Sequence, residues 1–111
     1  MIDSDRQTHI GLVLENCRDR LKQHYHERFK SLILYGSAAR QEMTESSDID
    51  LLVILEPPLD YFQEIATIVE LLYPFQLEAS HWISAKPVAV DEFEAGIIQL
   101  YRHAKQEGVI V

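Results

Sequence analysis

At 111 residues, with 47% hydrophobic and 25% charged side chains, the chain has the composition of one ordinary globular domain and leaves little room for a second. A net charge of −8 argues against a domain whose main work is gripping nucleic acid, because such domains present a basic face to the phosphates. No apolar run approaches the roughly 18 residues of a membrane span, and the polar, acidic start Met1-Ile2-Asp3-Ser4-Asp5-Arg6 does not read as a secretory signal. The expectation is a cytoplasmic protein, acting on a basic partner or on a small anionic ligand held with a divalent metal.

The first element is a helix over about 8–28. Ile10, Val13, Leu14, Cys17 and Leu21 recur at three and four residues and form one stripe. Cys17 lies on that stripe and is expected as a buried core thiol; as the lone cysteine it excludes an internal disulfide. His24 and His26 would project about 200° apart on such a helix, which argues against a shared metal. Residues 29–35 read as a short buried strand ended by Gly36, and 37–42 as the first turns of a short helix. A polar loop, 43–47, leads to the strongest strand, 48–55, which Pro57-Pro58 stops.

Asp60 is placed to cap the next helix, with Phe62, Ile65, Ala66, Val69, Leu72 and Tyr73 as its buried stripe and Pro74 as its end. Residues 75–83 read as a third strand. A last helix begins near Asp91, where Asp91 and Glu94 have capping-box spacing. Phe93, Ile97, Leu100, Tyr101 and Ala104 face inward, and Gly108 caps the end. Tyr61, Tyr73 and Tyr101 fit helix stripes and are read as packing. Residues 109–111 add a short terminal strand. The expected fold is α/β (α+β), a small mixed β-sheet flanked by helices in a single domain, 1–111.

Two features carry chemistry. On a strand, side chains alternate, so Asp48 and Asp50 share a face. Two carboxylates so placed repel each other unless a cation sits between them, and oxygen ligands suit Mg²⁺ with substrate phosphates. The bland alternative is a solvated strand entrance. The second feature is Gly36-Ser37 at the end of the preceding strand. Glycine lets the backbone approach a phosphate, free amides at the start of a helical turn favour an anion, and Ser37 adds a hydroxyl. Arg40, three residues on, supplies positive charge or else a surface salt bridge to nearby acids.

Together, Gly36-Ser37-Ala38-Ala39-Arg40 and Ser47-Asp48-Ile49-Asp50-Leu51-Leu52-Val53 resemble the signature of the DNA polymerase β-like nucleotidyltransferases, in particular their minimal nucleotidyltransferase (MNT) branch. The ending Gln106-Glu107-Gly108-Val109-Ile110-Val111 is similar to that branch as well. The resemblance implies a polymerase β-like core that transfers a nucleotidyl group from a nucleoside triphosphate to an acceptor hydroxyl. It implies two Mg²⁺ ions, roughly 3.5–4 Å apart, on Asp48, Asp50 and a third acid that also serves as base. Gly36 and Ser37 would cradle the triphosphate, with Arg40 assisting.

The third acid is where the sequence departs from the pattern. Glu78, on the expected strand 75–83, is the candidate, and a shifted alignment would put Ser80 there instead. Gln41 stands where many relatives have Gly. Without a third ligand the domain would be a degenerate member. His81, beside Trp82, is placed near the site or in packing.

Larger members of the superfamily carry an acceptor-binding domain, and no such segment is present in these 111 residues. A stand-alone core resembles the MNT antitoxins of HEPN/MNT toxin–antitoxin pairs. In such pairs the implied partner is a helical HEPN ribonuclease toxin, modified with AMP from ATP on a tyrosine. Two other readings stay open: a degenerate binding module that neutralises its partner stoichiometrically, and a small-molecule nucleotidyltransferase subunit. The oligomeric state is left open.

Overall fold

The strand Ile49-Asp50-Leu51-Leu52-Val53-Ile54-Leu55 is apolar on both faces after Asp50, so both faces must be covered. The rest of the chain supplies that cover. The computed structural model describes residues 4–111; residues 1–3, on which part of the signal-peptide reading rests, lie outside the described residues. Helix α1 (Ser4–Tyr25) passes through a 3-10 turn (His26–Arg28) into β1 (Phe29–Tyr35). Strand β2 (Ile49–Leu55), helix α2 (Tyr61–Glu78) and strand β3 (Ile83–Ala89) follow. Helices α3 (Val90–Ala95) and α4 (Gln99–Glu107) and a short strand β4 (Val109–Ile110) complete the order.

The sheet order is β3-β2-β1-β4. β1 runs antiparallel to β2 and β4, whereas β2 and β3 are parallel, joined by the α2 crossover. The expected mixed sheet flanked by helices is therefore the observed one. On one face Leu32, Leu34, Ile49, Leu51, Val53 and Leu55 pack against α1 and α2. On the other, Ile33, Leu52, Ile54 and Val88 pack against Phe93 of α3 and Ala104 of α4, with Tyr35 and Tyr101 alongside. The α1 stripe is as expected, with Val13, Leu14, Cys17 and Leu21 buried. Asp60 caps α2, its carboxylate accepting the Gln63 amide at 3.2 Å.

Several expectations need correction. Pro74 does not end α2. The ring removes one backbone donor, but the helix continues to Glu78, and the Ala79 amide closes it on the Phe75 and Gln76 carbonyls. Half-buried Phe75 packs against the core, a contact that favours continuing the helix over breaking it. The third strand is consequently Ile83–Ala89, not 75–83.

The buried face of α2 matches the expected stripe only at buried Leu72 and half-buried Ile65. Glu64, Ile68, Leu71 and Leu72 point inward, while Phe62, Ala66, Val69 and Tyr73 point outward. Tyr73 and Tyr61 are thus exposed, Tyr61 meeting the Phe62 ring edge-on, while half-buried Tyr101 packs against Phe93. The last helix is split. Gly96, at φ 62°, adopts the left-handed conformation that closes α3, and Ile97 is left exposed. The Asp91/Glu94 capping box does not form, because α3 already starts at Val90 with no side-chain cap. Finally, 37–42 is a single turn rather than a short helix.

Candidate active site

Helices α3 and α4 cover the second sheet face only over part of its length. Beyond Leu52 and Tyr35 that face ends in half-buried Asp50, with exposed Asp48 just before β2. In register, Asp50 lies between Tyr35 of β1 and Ser84 of β3, and Leu52 pairs with Lys86. Paired residues share a face, so Asp50, Tyr35, Ser84 and Lys86 all belong to this open end of the sheet.

The Gly36 turn is pressed onto that face. Gly36 has φ 74°, a left-handed conformation, and a Cβ there would lie 2.6 Å from the Asp50 Oδ2. Only glycine satisfies both demands. The turn then closes through Arg40 N to Gly36 O (3.2 Å), Gln41 N to Ala38 O (3.3 Å) and Glu42 N to Ser37 O (2.8 Å). Among the described residues the amides of Ser37, Ala38 and Ala39 donate to no backbone carbonyl, leaving a short run of N–H groups beside the carboxylates. Gln41, at φ 58°, ends the turn in the left-handed region. Arg40 is exposed and engaged elsewhere, with Nε 3.1 Å from Glu42 and a guanidinium nitrogen 3.9 Å from Glu107.

A second set of contacts fixes the loop that presents Asp48. The Ser47 Oγ accepts the Thr44 amide at 2.9 Å, and the Ser47 amide donates back to Thr44 O at 3.1 Å. The buried His81 ring holds the Ser47 carbonyl through Nδ1 at 2.8 Å, and Ile49 N donates to Trp82 O at 2.8 Å. Gln76 at the end of α2 clamps this segment. Its Nε2 donates to His81 O (3.0 Å) and its Oε1 accepts the Ile83 amide (2.7 Å). His81 and Gln76 are therefore positioning residues one step behind Asp48. For Gln76 no local pattern signals this role, because its two partners are backbone groups across a turn.

The electrostatics follow from this crowding. Burial first, then the charge of Asp48, raise the Asp50 carboxyl above its ordinary 3.8, and Lys86 partly offsets them. Tyr35 is pushed up to about 12, by burial and then by the negative charge of Asp50. An ionised pair of aspartates held together in this way favours a cation.

Glu78 does not sit on the strand beside β2. It is the last, exposed residue of α2, and its carbonyl accepts a hydrogen bond from His9 Nε2 at 2.9 Å. Ser80 lies in the following bend and is exposed. The strand that does pair with β2 brings Ser84 and Lys86 to the face of Asp50, and neither is a carboxylate. Among the described residues no group of three His, Cys, Asp or Glu comes together as a metal site. The His24-x-His26 pair is parted by the end of α1 at Tyr25. Two carboxylates and a hydroxyl can hold one divalent cation, and the ammonium alongside suits a phosphate chain. They do not provide the three-acid set expected for two ions.

A strand–Gly-Ser turn–strand unit that places free amides against paired aspartates is an arrangement for a metal-bound phosphate ester. The chain matches the nucleotidyltransferase domain family over residues 14–105 and belongs to that family. It is also similar to two proposed protein adenylyltransferases of Methanocaldococcus jannaschii, at 41% identity over 59 residues and 39% over 57. Those matches cover 53% and 51% of this chain and 59% and 50% of the relatives. The chain thus spans between half and about three-fifths of the length of the relatives it matches. Among the described residues no helix is long and apolar enough to cross a membrane.

Proposed function

We propose that the chain transfers AMP from ATP to a hydroxyl of a partner protein, as an antitoxin-type adenylyltransferase acting on a tyrosine of a HEPN ribonuclease toxin. The single observation that carries the transferase reading is the Gly36 backbone packed on the Asp50 carboxylate, with the amides of the 37–39 turn free alongside. The protein-acceptor reading draws on the likeness to the two M. jannaschii proteins.

Asp48 and Asp50 would hold Mg²⁺, whose charge would offset the burial and then the repulsion from Asp48 that together raise Asp50. Bound there, Mg²⁺ supplies charge neutralisation for the triphosphate and polarises the reacting phosphate. The Ser37–Ala39 amides and the Ser37 hydroxyl grip phosphate oxygens. Lys86, paired with Leu52 on the neighbouring strand, contributes a fixed positive charge towards the same anion. The tyrosine oxygen bonds to the α-phosphorus, the bond to the β-phosphate bridging oxygen breaks, pyrophosphate leaves, and the phenolic proton passes to water.

The test is incubation with Mg²⁺ and α-labelled ATP, with and without the product of the adjacent gene, followed by mass spectrometry of both chains. An AMP adduct on the partner tyrosine, lost in Asp48→Asn/Asp50→Asn, is the expected outcome. One observation favours a second reading: with Ser84 and Lys86 beside Asp50, no third carboxylate joins the pair among the described residues. A stable complex without any adduct, and neutralisation retained by the Asn variant, would establish a stoichiometric binding module instead.

A further inference from the structure

Helix α2 is amphipathic twice over. Its inner face, Glu64, Ile68, Leu71 and Leu72, is buried against the sheet and α1. On the opposite side Phe62, Ala66, Val69, Tyr73 and Leu77 recur at spacings of four, three, four and four, the pattern of a helix-packing seam. The four large side chains are exposed, Phe62 at 81%, Val69 at 61%, Tyr73 at 58% and Leu77 at 69%. At a 1.5 Å rise the stripe is roughly 22 Å long. Single exposed apolar residues need no explanation, but a continuous seam over four turns does.

The charges around the seam select its occupant. Glu70 lies along its edge; Asp60 caps the helix before the seam begins and Glu78 ends it on another face, and α2 contains no Lys, Arg or His. The chain as a whole carries −8. A second copy is disfavoured by symmetry. A two-fold axis through the middle of the seam falls at Val69 and Glu70 and sets Glu70 against its own copy, while doubling the net charge. An anionic lipid surface meets the same repulsion.

We propose that this outer face of α2 docks an amphipathic helix of another protein, with apolar residues at seam spacing and Lys or Arg along its flanks. The seam lies on the α2 side of the sheet and Asp50 faces the opposite side, so the docked partner and the nucleotide site are not in competition. The apolar seam supplies the affinity, and Glu70 at its edge together with the chain's net negative charge sets which partner fits.

The probes are two synthetic helices about 18 residues long, matched to the seam at 1.5 Å per residue. They share leucines at seam positions and differ in carrying Lys/Arg or Glu flanks. Binding is read by amide shifts of the isotope-labelled full chain. The expected result is binding of the basic helix, with shifts concentrated on α2. The Val69→Gln/Leu77→Gln variant, which alters only exposed positions, weakens it by about tenfold or more. Glu70→Lys narrows the preference for basic flanks. Equal binding of both helices, shifts mapping elsewhere, or loss unaffected by the seam variant would overturn the proposal. So would sedimentation of the free chain as a dimer that Val69→Gln dissociates, or seam-dependent binding to phosphatidylcholine–phosphatidylglycerol vesicles.

Discussion

At Gly36 two constraints coincide in one residue, a left-handed backbone and a 2.6 Å approach to the Asp50 carboxylate. In Gly36→Ala the atom in the way is the end of a short side chain, so the carboxylate rotates rather than the sheet giving way. The left-handed conformation costs a non-glycine residue about 1–2 kcal/mol. The expected phenotype is a modest fall in denaturant midpoint together with loss of Mg²⁺-dependent nucleotide binding, measurable by calorimetry. Gln41 presents the converse case. It already pays that conformational cost at φ 58°, so Gln41→Gly is expected to stabilise the fold by up to about 1 kcal/mol, read from urea unfolding.

Asp50 gives a pH prediction. Its folded carboxyl is raised above the ordinary 3.8, so the folded state favours the protonated form. The associated stability is fully present below that ordinary value and is lost as pH rises through the raised one. At neutral pH the ionised Asp50 therefore opposes folding. Asp50→Asn is expected to melt at a higher temperature than the parent at pH 7, with the gap closing towards pH 3. Mg²⁺ should raise the melting temperature of the parent and leave the Asn variant unmoved.

Among the elements, β3 decides the character of the site. Because it pairs in parallel with β2, Ser84 stands beside Asp50 and Lys86 beside Leu52. Ser84→Asp installs a carboxylate in the register position next to Asp50, and is expected to tighten Mn²⁺ binding by about tenfold, worth 1.4 kcal/mol. Unchanged binding in isothermal titration would mean that this face does not receive the ion. Helix α2 acts at a distance through Gln76 and His81, which tie its C-terminus to the loop before Asp48. Its N-terminal half is anchored differently, by buried Glu64, which accepts from Tyr25 Oη at 3.1 Å and Arg28 at 3.0 Å. The cleft of about 520 Å³ lined by these residues lies at the far end of β2 from Asp50, and belongs to this cross-link rather than to the site.

On the scale of the whole molecule the sheet is unevenly clothed. One face is sealed by α1 and α2, the other is closed by the short α3 and α4 only up to Tyr35 and Leu52. The candidate site thus lies at the open end, while the sealed side holds the largest apolar cluster. Cys17 sits within that cluster, and burial pushes its thiol up to about 12. Alkylation of Cys17 by iodoacetamide at pH 8 is therefore expected to require opening of the α1 packing, so that its rate follows global unfolding across a urea series. Rapid modification in the native state would show that α1 detaches on its own.

The residues themselves determined the parts of this protein that depend on local pattern. The α1 stripe, strands β1 and β2, the Asp60 cap and the Gly36-Ser37 and Asp48/Asp50 pairs all lie within segments whose periodicity or turn chemistry is short-ranged. What only the tertiary structure decided was everything that depends on which strand neighbours β2. Pro74 reads locally as a stop, yet Phe75 packing carries α2 on to Glu78. This shifts the third strand by eight residues at its start, takes Glu78 off the sheet and brings Ser84 and Lys86 to Asp50. The same holds for α2, where two apolar stripes of comparable quality compete. Only packing against the sheet selects Ile68, Leu71 and Leu72 for burial and leaves Phe62, Val69 and Tyr73 in water, because an amphipathic pattern defines a face but not the surface that will cover it.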